Sequence, residues 1–453
     1  MNGHLTYSQH LRAILTLGLP LVGSHIAQIA ILLSDAVMLG WYDVEALAAQ
    51  VLASEMFFVL FIFGSGFAWA VMPMVAAAQA AGEEVQVRRV TRMGAWASLI
   101  FGVLILPVML MAEPILLALG QEPQIATLGG QYLWIAGWGI LPALLVMVLK
   151  SYLAALERTQ IVFFVTVAGV VLNIVLNYLF IFGNLGFPEM GIRGAALASV
   201  IGNVLSFAVL AIYAARKLPE HELFVRVWRA DWEAFGQVFR LGWPIGLTSL
   251  AESSLFLASS IMMGWIGTLE LAAHGIAIQI TSIMFMLHLG FSNAATVRAG
   301  QAFGRRDPVG LRDGGKVVII VSVAIALATV VMFLTIPELL MGVFMDPDEP
   351  DRAAVIAVGV GLLAAAALFQ LMDAAQVLAL GLLRGVQDTK VPMVIAAFSY
   401  WAVGVPASYL LGFTFGLGGV GIWLGLAIGL ALAGGFLMWR FWGRAVPQVP
   451  ERS

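Results

Sequence analysis

The sequence contains no cysteine and very little charge. Only 11% of its 453 residues are Asp, Glu, Lys or Arg, whereas a soluble domain carries about 25%. Without cysteine, disulfides, thiol chemistry and cysteine-ligated metals are excluded. The six histidines are scattered, with no HxxxH or HExxH spacing, and predict no metal site. The net charge of -3 argues against a nucleic-acid partner, which would require clustered cations.

Apolar residues make up 61% of the chain and form long runs. A membrane span needs about 20 mostly apolar residues, and twelve such runs are separated by charges or by Pro and Gly. Lipid offers the backbone no hydrogen-bond partner, so each run should form a helix. The predicted fold is therefore an all-α membrane protein. The approximate cores are residues 13–40, 46–80, 93–112, 130–150, 161–182, 194–215, 238–265, 271–298, 317–343, 354–382, 393–413 and 420–439.

The basic residues predict which loops face the cytoplasm, because Lys and Arg in short loops stay on that side. With both termini inside, only Arg193 and Arg352 of the 23 basic residues lie outside. If the count of spans were wrong by one, every later loop would be assigned to the opposite side of the membrane. The distribution therefore supports twelve spans and predicts that both termini are cytoplasmic.

The chain repeats itself at an offset of 224 residues. LTLGLP, ending at Pro20, matches FRLGWP, ending at Pro244, and Gly66-Phe67 matches Gly290-Phe291. The repeat predicts two pseudo-symmetric lobes of six helices each. Both lobes should enter the membrane from the same side, and cargo should bind between or within them. The predicted boundaries are 1–217 for the N-terminal lobe, 218–236 for a cytoplasmic connector and 237–453 for the C-terminal lobe.

Four acidic residues lie deep within the predicted spans: Asp35, Glu55, Glu252 and Asp373. An Asp at the bilayer centre costs at least about 2.5–3.5 kcal/mol, and no Lys or Arg falls in the middle of a span to neutralise it. Each acid should therefore be protonated, hydrated or paired with a cation from solution. Proton, metal ion and cationic cargo would compete for such a group, as in an antiporter. The alternative is a protonated acid that only packs helices, and for Glu55 both interpretations stay open.

Polar residues near Asp35 could complete such a site. Asn173 and Asn177 are spaced i, i+4 and lie on one face of the fifth helix. They could bind a cation or a protonated Asp35, or they could only hold helices together. Gln28 lies one repeat offset from Glu252 and marks the equivalent place in the first lobe.

An adaptable apolar pocket lined by Met and Phe side chains of the second and eighth helices, among them Met72 and Met74, is a further hypothesis. Met284 and Met286 could line an adaptable binding surface, with Gln279 as a polar contact. In so apolar a chain these side chains could equally face lipid or neighbouring helices. No Walker A sequence is present, so transport would be driven by a gradient.

Several stretches together resemble the multidrug and toxic compound extrusion (MATE) family, most closely its NorM-like branch. They are SDAVMLGW in helix 1, LNIVLNYLFIFGNLG in helix 5, AES in helix 7, and MDAAQVLALGLLRGVQDTKVP from Met372 to Pro392. The resemblance implies a monomer in the bacterial inner membrane. It implies export of cationic or amphipathic drugs in exchange for Na+ or H+, with no cofactor beyond that ion.

The resemblance also implies roles for individual residues. Asp35 matches the family's helix 1 carboxylate, and Asn173 and Asn177 match its helix 5 partners. Glu252 and Asp373 match the cation-site acids of the second lobe, where Na+ could bind.

Two departures from the family pattern favour proton coupling, although the retained acid pair still favours Na+. Phe369, also a candidate substrate contact, stands where some Na+-coupled members have Tyr, and His274-Gly275 replaces a His-Gln pair. A flippase for lipid-linked precursors is the alternative within the superfamily, but it would need cations to hold a pyrophosphate. No filter sequence indicates a channel, and no nucleophile with a base indicates an enzyme.

Overall fold

The computed structural model describes residues 5–449, and within that range it contains helices and no strands. The helices are α1 Tyr7–Tyr42, α2 Val44–Ala81, α3 Glu84–Leu110, α4 Ala112–Ala118, α5 Pro123–Ala136, α6 Ile140–Ala155, α7 Thr159–Phe180, α8 Ile192–Lys217, α9 Trp232–Ile266, α10 Thr268–Arg305, α11 Pro308–Thr335, α12 Pro337–Gly342, α13 Arg352–Gly385, α14 Lys390–Ala397, α15 Val405–Tyr409, α16 Gly418–Arg440 and α17 Val446–Gln448.

The predicted twelve spans are confirmed, with one modification. Eleven segments in the described range are long and apolar enough to cross a membrane as single helices. The predicted fourth span is instead a pair, α5 and α6, bent by 52°. The bend falls at Gly137-Trp138-Gly139, where two glycines weaken the helix.

The eleventh span, Lys390–Thr414, is irregular. It contains two π-helical segments, Phe398–Gly404 and Leu410–Thr414, on either side of Pro406. Proline cannot donate a backbone hydrogen bond, and π-helical turns inside helices frequently mark functional sites. The first π segment carries Tyr400, whose side chain is fully buried.

The chain packs into two compact units that differ from the predicted lobes at two helices. The N-unit comprises Gly23–Gly246, and the C-unit comprises the residues up to Val22 together with those from Leu247 onward. The first part of α1 therefore belongs to the C-unit, and the first part of α9 belongs to the N-unit.

Close glycine contacts explain both assignments. In the N-unit, a Cβ added to Gly242 of α9 would lie 2.8 Å from Phe67 Cα of α2. In the C-unit, a Cβ added to Gly18 of α1 would lie 2.6 Å from Phe291 Cδ1 of α10. Gly18 and Gly242 are 224 residues apart, as are Phe67 and Phe291. Each unit thus uses the same repeat-related contact to hold an early helix segment.

The connector between α8 and α9 is held against α3, within the N-unit, by salt bridges and hydrogen bonds. Arg89 Nε donates to Asp231 Oδ2 at 2.5 Å, and Arg89 Nη2 donates to Glu233 Oε2 at 2.9 Å. Arg88 pairs with Glu222 at 2.7 Å, and Trp96 Nε1 donates to the Val227 carbonyl at 2.7 Å. The Arg89 guanidinium lowers the pKa of Asp231. The polar connector is therefore an ordered part of the N-unit.

Candidate functional site

The N-unit holds Asp35 in a network of neutral hydrogen-bond donors. Asp35 is 2% exposed, and Asn177 Nδ2 donates to its Oδ1 at 2.6 Å. Ser199 Oγ donates to Asp35 Oδ2 at 3.4 Å. Asn177 Nδ2 also donates to Asn173 Oδ1 at 3.2 Å. The i, i+4 spacing on α7 therefore places both amides beside the acid, with Asn177 hydrogen-bonded to it.

Three further polar side chains extend this network, and none was predicted from the sequence. Tyr132 of α5 interacts with Gln50, Ser54 and Ser199, and Gln50 Nε2 donates to Ser54 Oγ at 2.9 Å. Gln50 Oε1 is buried without a partner. These residues are single polar positions inside apolar runs, and the sequence does not indicate that they share a site.

One buried amide nitrogen and one buried amide oxygen near Asp35 are also without partners. Asn177 Oδ1 and Asn173 Nδ2 each lack a hydrogen-bond partner in the described chain, and both residues are at most 3% exposed. Unsatisfied buried polar atoms are uncommon in folded proteins and call for a ligand, water or ion. The Asp35 cluster therefore has one free acceptor, Asn177 Oδ1, and one free donor, Asn173 Nδ2, beside a carboxylate to which no basic side chain of the described residues is bonded.

The C-unit brings the other two predicted acids together. Glu252 of α9 and Asp373 of α13 interact electrostatically, and Tyr400 of the π segment interacts with both. Asp373 is 1% exposed. One oxygen of each acid, Glu252 Oε1 and Asp373 Oδ1, is buried without a hydrogen-bond partner. The two acids therefore interact electrostatically within the unit, and each keeps one oxygen that can accept a further hydrogen bond or bind a cation.

A basic residue also belongs to this cluster. Arg384, in the last turn of α13, attracts Glu252 electrostatically. The expectation that no Lys or Arg lies in the middle of a span is not contradicted, since Arg384 lies at the end of its helix, yet this residue still acts electrostatically on Glu252. The helix α13 extends to Gly385, beyond the predicted core that ended at residue 382. Two carboxylates and one guanidinium leave the cluster with a formal charge of minus one when all three are ionised.

Neutral oxygens complete the C-unit cluster. Gln376 Nε2 donates to Tyr400 Oη at 2.5 Å, and Gln376 Oε1 remains without a partner. Tyr400 thus supplies a phenolic hydroxyl of the kind that Phe369 lacks. Phe369 itself packs against Phe256 and Trp423, with ring centroids 5.9 and 5.3 Å away. It lies in the aromatic core of the unit.

His274, the retained histidine of the family's His-Gln pair, has contacts at both ring nitrogens. Trp423 Nε1 donates to His274 Nδ1 at 3.1 Å, and His274 Nε2 lies 3.2 Å from Ser260 Oγ. Both ring nitrogens are therefore used in packing α10 against α9 and α16, and Gly275 beside it is exposed.

The remaining predicted residues are not brought into either cluster by any hydrogen bond of the described chain. Glu55 and Gln279 are exposed on their helices, and Gln28 and Met286 are half-buried. Met284 is half-buried and accepts a weak hydrogen bond from Thr329 at 3.7 Å. The pocket predicted around α10 therefore remains a prediction.

Between residues 5 and 449, no three His, Cys, Asp or Glu side chains lie close enough to hold a metal ion. A monovalent cation at the C-unit acids would rely on two carboxylates plus neutral oxygens. Hard cations prefer oxygen ligands of this kind.

Comparison with known proteins identifies the family of the chain. The family model described as MatE matches residues 20–179 and 244–410. A Rhizobium meliloti protein named "Probable multidrug resistance protein NorM" is 48% identical over 99% of this chain and 97% of its own length. A protein of the same name from Agrobacterium fabrum is 45% identical over 97% of this chain and 95% of its own length.

Solved structures share the fold. A MATE protein crystallised in complex with MaL6 superposes with a TM-score of 0.88 at 23% identity, covering 97% of both chains. An outward-facing multidrug resistance MATE transporter of the MOP superfamily gives a TM-score of 0.88 at 22% identity, covering 99% of this chain and 100% of the other. The chain is a multi-pass membrane protein that belongs to the MATE family of transporters, in its NorM-like branch.

Proposed function

We propose that the chain is a secondary active exporter that moves cationic and amphipathic compounds out of the cell in exchange for inward Na+ or H+. Relatives that are 45% and 48% identical over nearly their full length carry a multidrug resistance name. The observation that carries the ion exchange is the set of buried carboxylates Asp35, Glu252 and Asp373, of which the last two each keep an oxygen without a partner.

Asp35 suits the exchange of a proton or a cation because its fixed partners are neutral. The amide of Asn177 holds the carboxylate in position without cancelling its charge. A proton, Na+ or cationic drug can therefore neutralise the same group in turn. Only one of them can do so at a time, and mutual displacement couples the two fluxes.

The C-unit acids favour Na+ as one of the coupling ions. With Arg384 near Glu252, the fully ionised cluster would carry a single net negative charge, which one monovalent cation would neutralise. Glu252 Oε1, Asp373 Oδ1 and Gln376 Oε1 are oxygens without hydrogen-bond partners. Such oxygens can replace part of the hydration shell that Na+ loses on entry.

The distribution of basic residues supports a bacterial inner-membrane location with both termini in the cytoplasm. The absence of cysteine makes this orientation simple to test. A single Cys placed at exposed Leu119, between α4 and α5, should react with an impermeant maleimide added outside cells. A Cys at exposed Val85, at the start of α3, should react only after permeabilisation. The reverse pattern would invert the orientation.

A flippase for lipid-linked precursors is the second candidate function. One observation favours it: Lys150 is a half-buried basic residue within α6. A pyrophosphate carries several charges, however, and would call for a group of Arg or Lys side chains. The acidic clusters around Asp35 and Asp373 favour cationic cargo instead.

The deciding experiment uses purified protein in vesicles loaded with ethidium. Efflux is measured with an inward Na+ gradient, an inward proton gradient, both, or neither. We expect efflux with at least one gradient, the largest rate with Na+, and none without a gradient. An efflux rate that is the same with and without both gradients would rule out cation-coupled antiport.

A further inference from the structure

The connector between α8 and α9 presents large apolar side chains to its surroundings. Trp228 and Trp232 are each 74% exposed, and Phe224, Val225 and Val227 are exposed as well. All five lie within residues 224–232, which we call the connector segment. Exposed apolar clusters mark contact surfaces, because leaving them in water is unfavourable.

Hydrogen bonds to α3 set the depth of the connector segment. Trp96 Nε1 donates to the Val227 carbonyl at 2.7 Å, and Arg92 Nε donates to the Leu223 carbonyl, just before the segment, at 2.8 Å. The apolar run of α3 begins near residue 93, so these contacts lie where the helix enters the hydrocarbon layer. The connector segment therefore lies at the level of the lipid headgroups, where Trp side chains are enriched in membrane proteins.

The charges of the connector segment are divided between the protein and its surroundings. Its one acid, Asp231, is bonded to Arg89 of α3 at 2.5 Å. Its two bases, Arg226 and Arg229, are exposed, and neither guanidinium makes a hydrogen bond or salt bridge with another residue between 5 and 449. The exposed surface of the segment is therefore both apolar and positively charged.

We propose that the connector segment docks on the membrane interface and binds the phosphate groups of anionic phospholipids. Its aromatic side chains lie among the headgroups, as in interfacial segments that carry Trp on one side and Arg on the other. Arg226 and Arg229 donate to lipid phosphates, which the planar guanidinium binds in a bidentate manner. An anionic leaflet attracts each of these charges further.

A membrane fits this surface better than a soluble partner protein. The backbone of the segment is hydrogen-bonded beside the apolar run of α3, so lipid is already its neighbour. The inference goes beyond the proposed function, because lipid binding here requires neither the drug nor the coupling ion. Its consequence is an anchor that holds the N-unit to one leaflet.

The test places a single fluorophore on the segment, which the absence of cysteine makes possible. Val225→Cys is labelled with bimane, and the purified full-length protein is reconstituted into phosphatidylcholine bilayers. The bilayers contain an equal small fraction of nitroxide-labelled phosphatidylglycerol or nitroxide-labelled phosphatidylcholine. A nitroxide quenches the dye only at short range, so the ratio of quenching by the two lipids measures enrichment of the anionic one. We expect a ratio of at least about five, the attraction of one arginine to an anionic headgroup.

The charge variants are made in the labelled protein. Arg226→Gln combined with Arg229→Gln should bring the ratio close to one. Arg305→Gln combined with Arg306→Gln is the matched control, because these two exposed arginines lie at the end of α10, far along the chain from the segment. Arg306 also shares the left-handed backbone of Arg226, with φ values of 55° and 56°. The control should keep the ratio of the unmodified arginines.

Equal quenching by the two lipids would overturn the proposal, because the segment would then contact lipid without selecting its charge. A high ratio that persists in the Arg226 and Arg229 variant would overturn it too. So would quenching by neither lipid, and protection of the dye from aqueous iodide would then indicate a protein or a second copy as the occupant. If Val225→Cys does not fold, exposed Ala230 carries the label instead, and a ratio near one there is equally decisive. Both faces of the bilayer carry the same lipids, so the result does not depend on the orientation of the chain.

Discussion

The two acidic clusters differ in what surrounds the carboxylates. Asp35 in the N-unit is a single acid whose bonded partners, Asn177 and Ser199, are neutral. Glu252 and Asp373 in the C-unit are two acids that share a tyrosine and lie near Arg384. The repeat relates the two halves of the sequence, yet their chemistry has diverged. The N-unit cluster has one carboxylate held by neutral partners. The C-unit cluster has two carboxylates and one guanidinium, so one small cation would neutralise it when all three are ionised.

The largest effect expected from this comparison is at Asp35, because no second acid can replace it. Asp35→Asn keeps the shape and the hydrogen bond with Asn177 but removes the exchangeable charge. We expect ethidium efflux to fall on the order of 100-fold, the upper range of coupling between two ligands. Efflux is measured in vesicles after gel filtration has shown that the variant is folded. Normal efflux by a folded variant would make Asp35 a structural residue.

A smaller effect is expected at the C-unit pair, since each acid can partly serve for the other. Glu252→Gln or Asp373→Asn alone should weaken Na+ activation of efflux about tenfold, as for loss of one charged ligand bond. The double variant should abolish it. Initial rates across a Na+ titration give this result. Full Na+ activation in the double variant would remove the C-unit from ion coupling.

Tyr400 should contribute less, because it supplies a neutral oxygen. Tyr400→Phe removes the hydroxyl that accepts from Gln376 at 2.5 Å, and we expect Na+ activation to weaken about fivefold. Tyr409→Phe is the control, since Tyr409 is 49% exposed on the same span. An equal loss in both variants would show a general effect on the helix and not a role at the acids.

The smallest expected effect is a pH dependence of folding stability that arises outside both clusters. It must be identified first, because otherwise it would be mistaken for proton binding at the acids. His221, in the connector of the N-unit, lies 2.6 Å from Tyr152 Oη, and burial lowers its pKa below the ordinary 6.5. Just below pH 6.5, His221 therefore binds a proton more readily in the unfolded chain than in the folded chain. This contribution to stability is fully present above pH 6.5, the ordinary pKa of the unfolded chain, and it is lost as the pH falls through the lower pKa of the folded chain.

His221→Gln should remove this part of the pH dependence. Between about pH 7.5 and about pH 5.5, the wild type should lose roughly 2–4 °C in unfolding temperature, and the variant should lose less. Thermal unfolding followed by tryptophan fluorescence gives the comparison, with Tyr152→Phe as a second variant that breaks the same contact. An identical pH response in wild type and both variants would exclude His221 as its source.

Much of the architecture could be predicted from the sequence, because hydrophobic run length and basic loops report directly on membrane spans. The i, i+4 spacing likewise placed Asn173 and Asn177 on one face. The role of Tyr400 could not be foreseen, because sequence periodicity does not reveal the π-helical segment that contains it. The effect of Arg384 on Glu252 could not be foreseen either, because Arg384 lies outside the apolar run that defines the span.

Contacts between distant segments were the other limit. The repeat revealed that Gly18 and Gly242 are related, but not that each packs against an aromatic residue of its own unit. A sequence pattern gives the periodicity of each helix and contains no distance between helices. The division into units, and the gathering of Tyr132 and Ser199 around Asp35, therefore required the structure.

The central claim is that ion and drug compete for the same buried carboxylates, and one binding measurement tests it directly. Ethidium binding to the purified protein is titrated at increasing Na+ and at decreasing pH, in the wild type and in a triple variant with Asp35→Asn, Glu252→Gln and Asp373→Asn. The account predicts that Na+ or protons displace ethidium from the wild type, and that the residual binding of the folded triple variant responds to neither. Displacement that persists unchanged in the triple variant would contradict it.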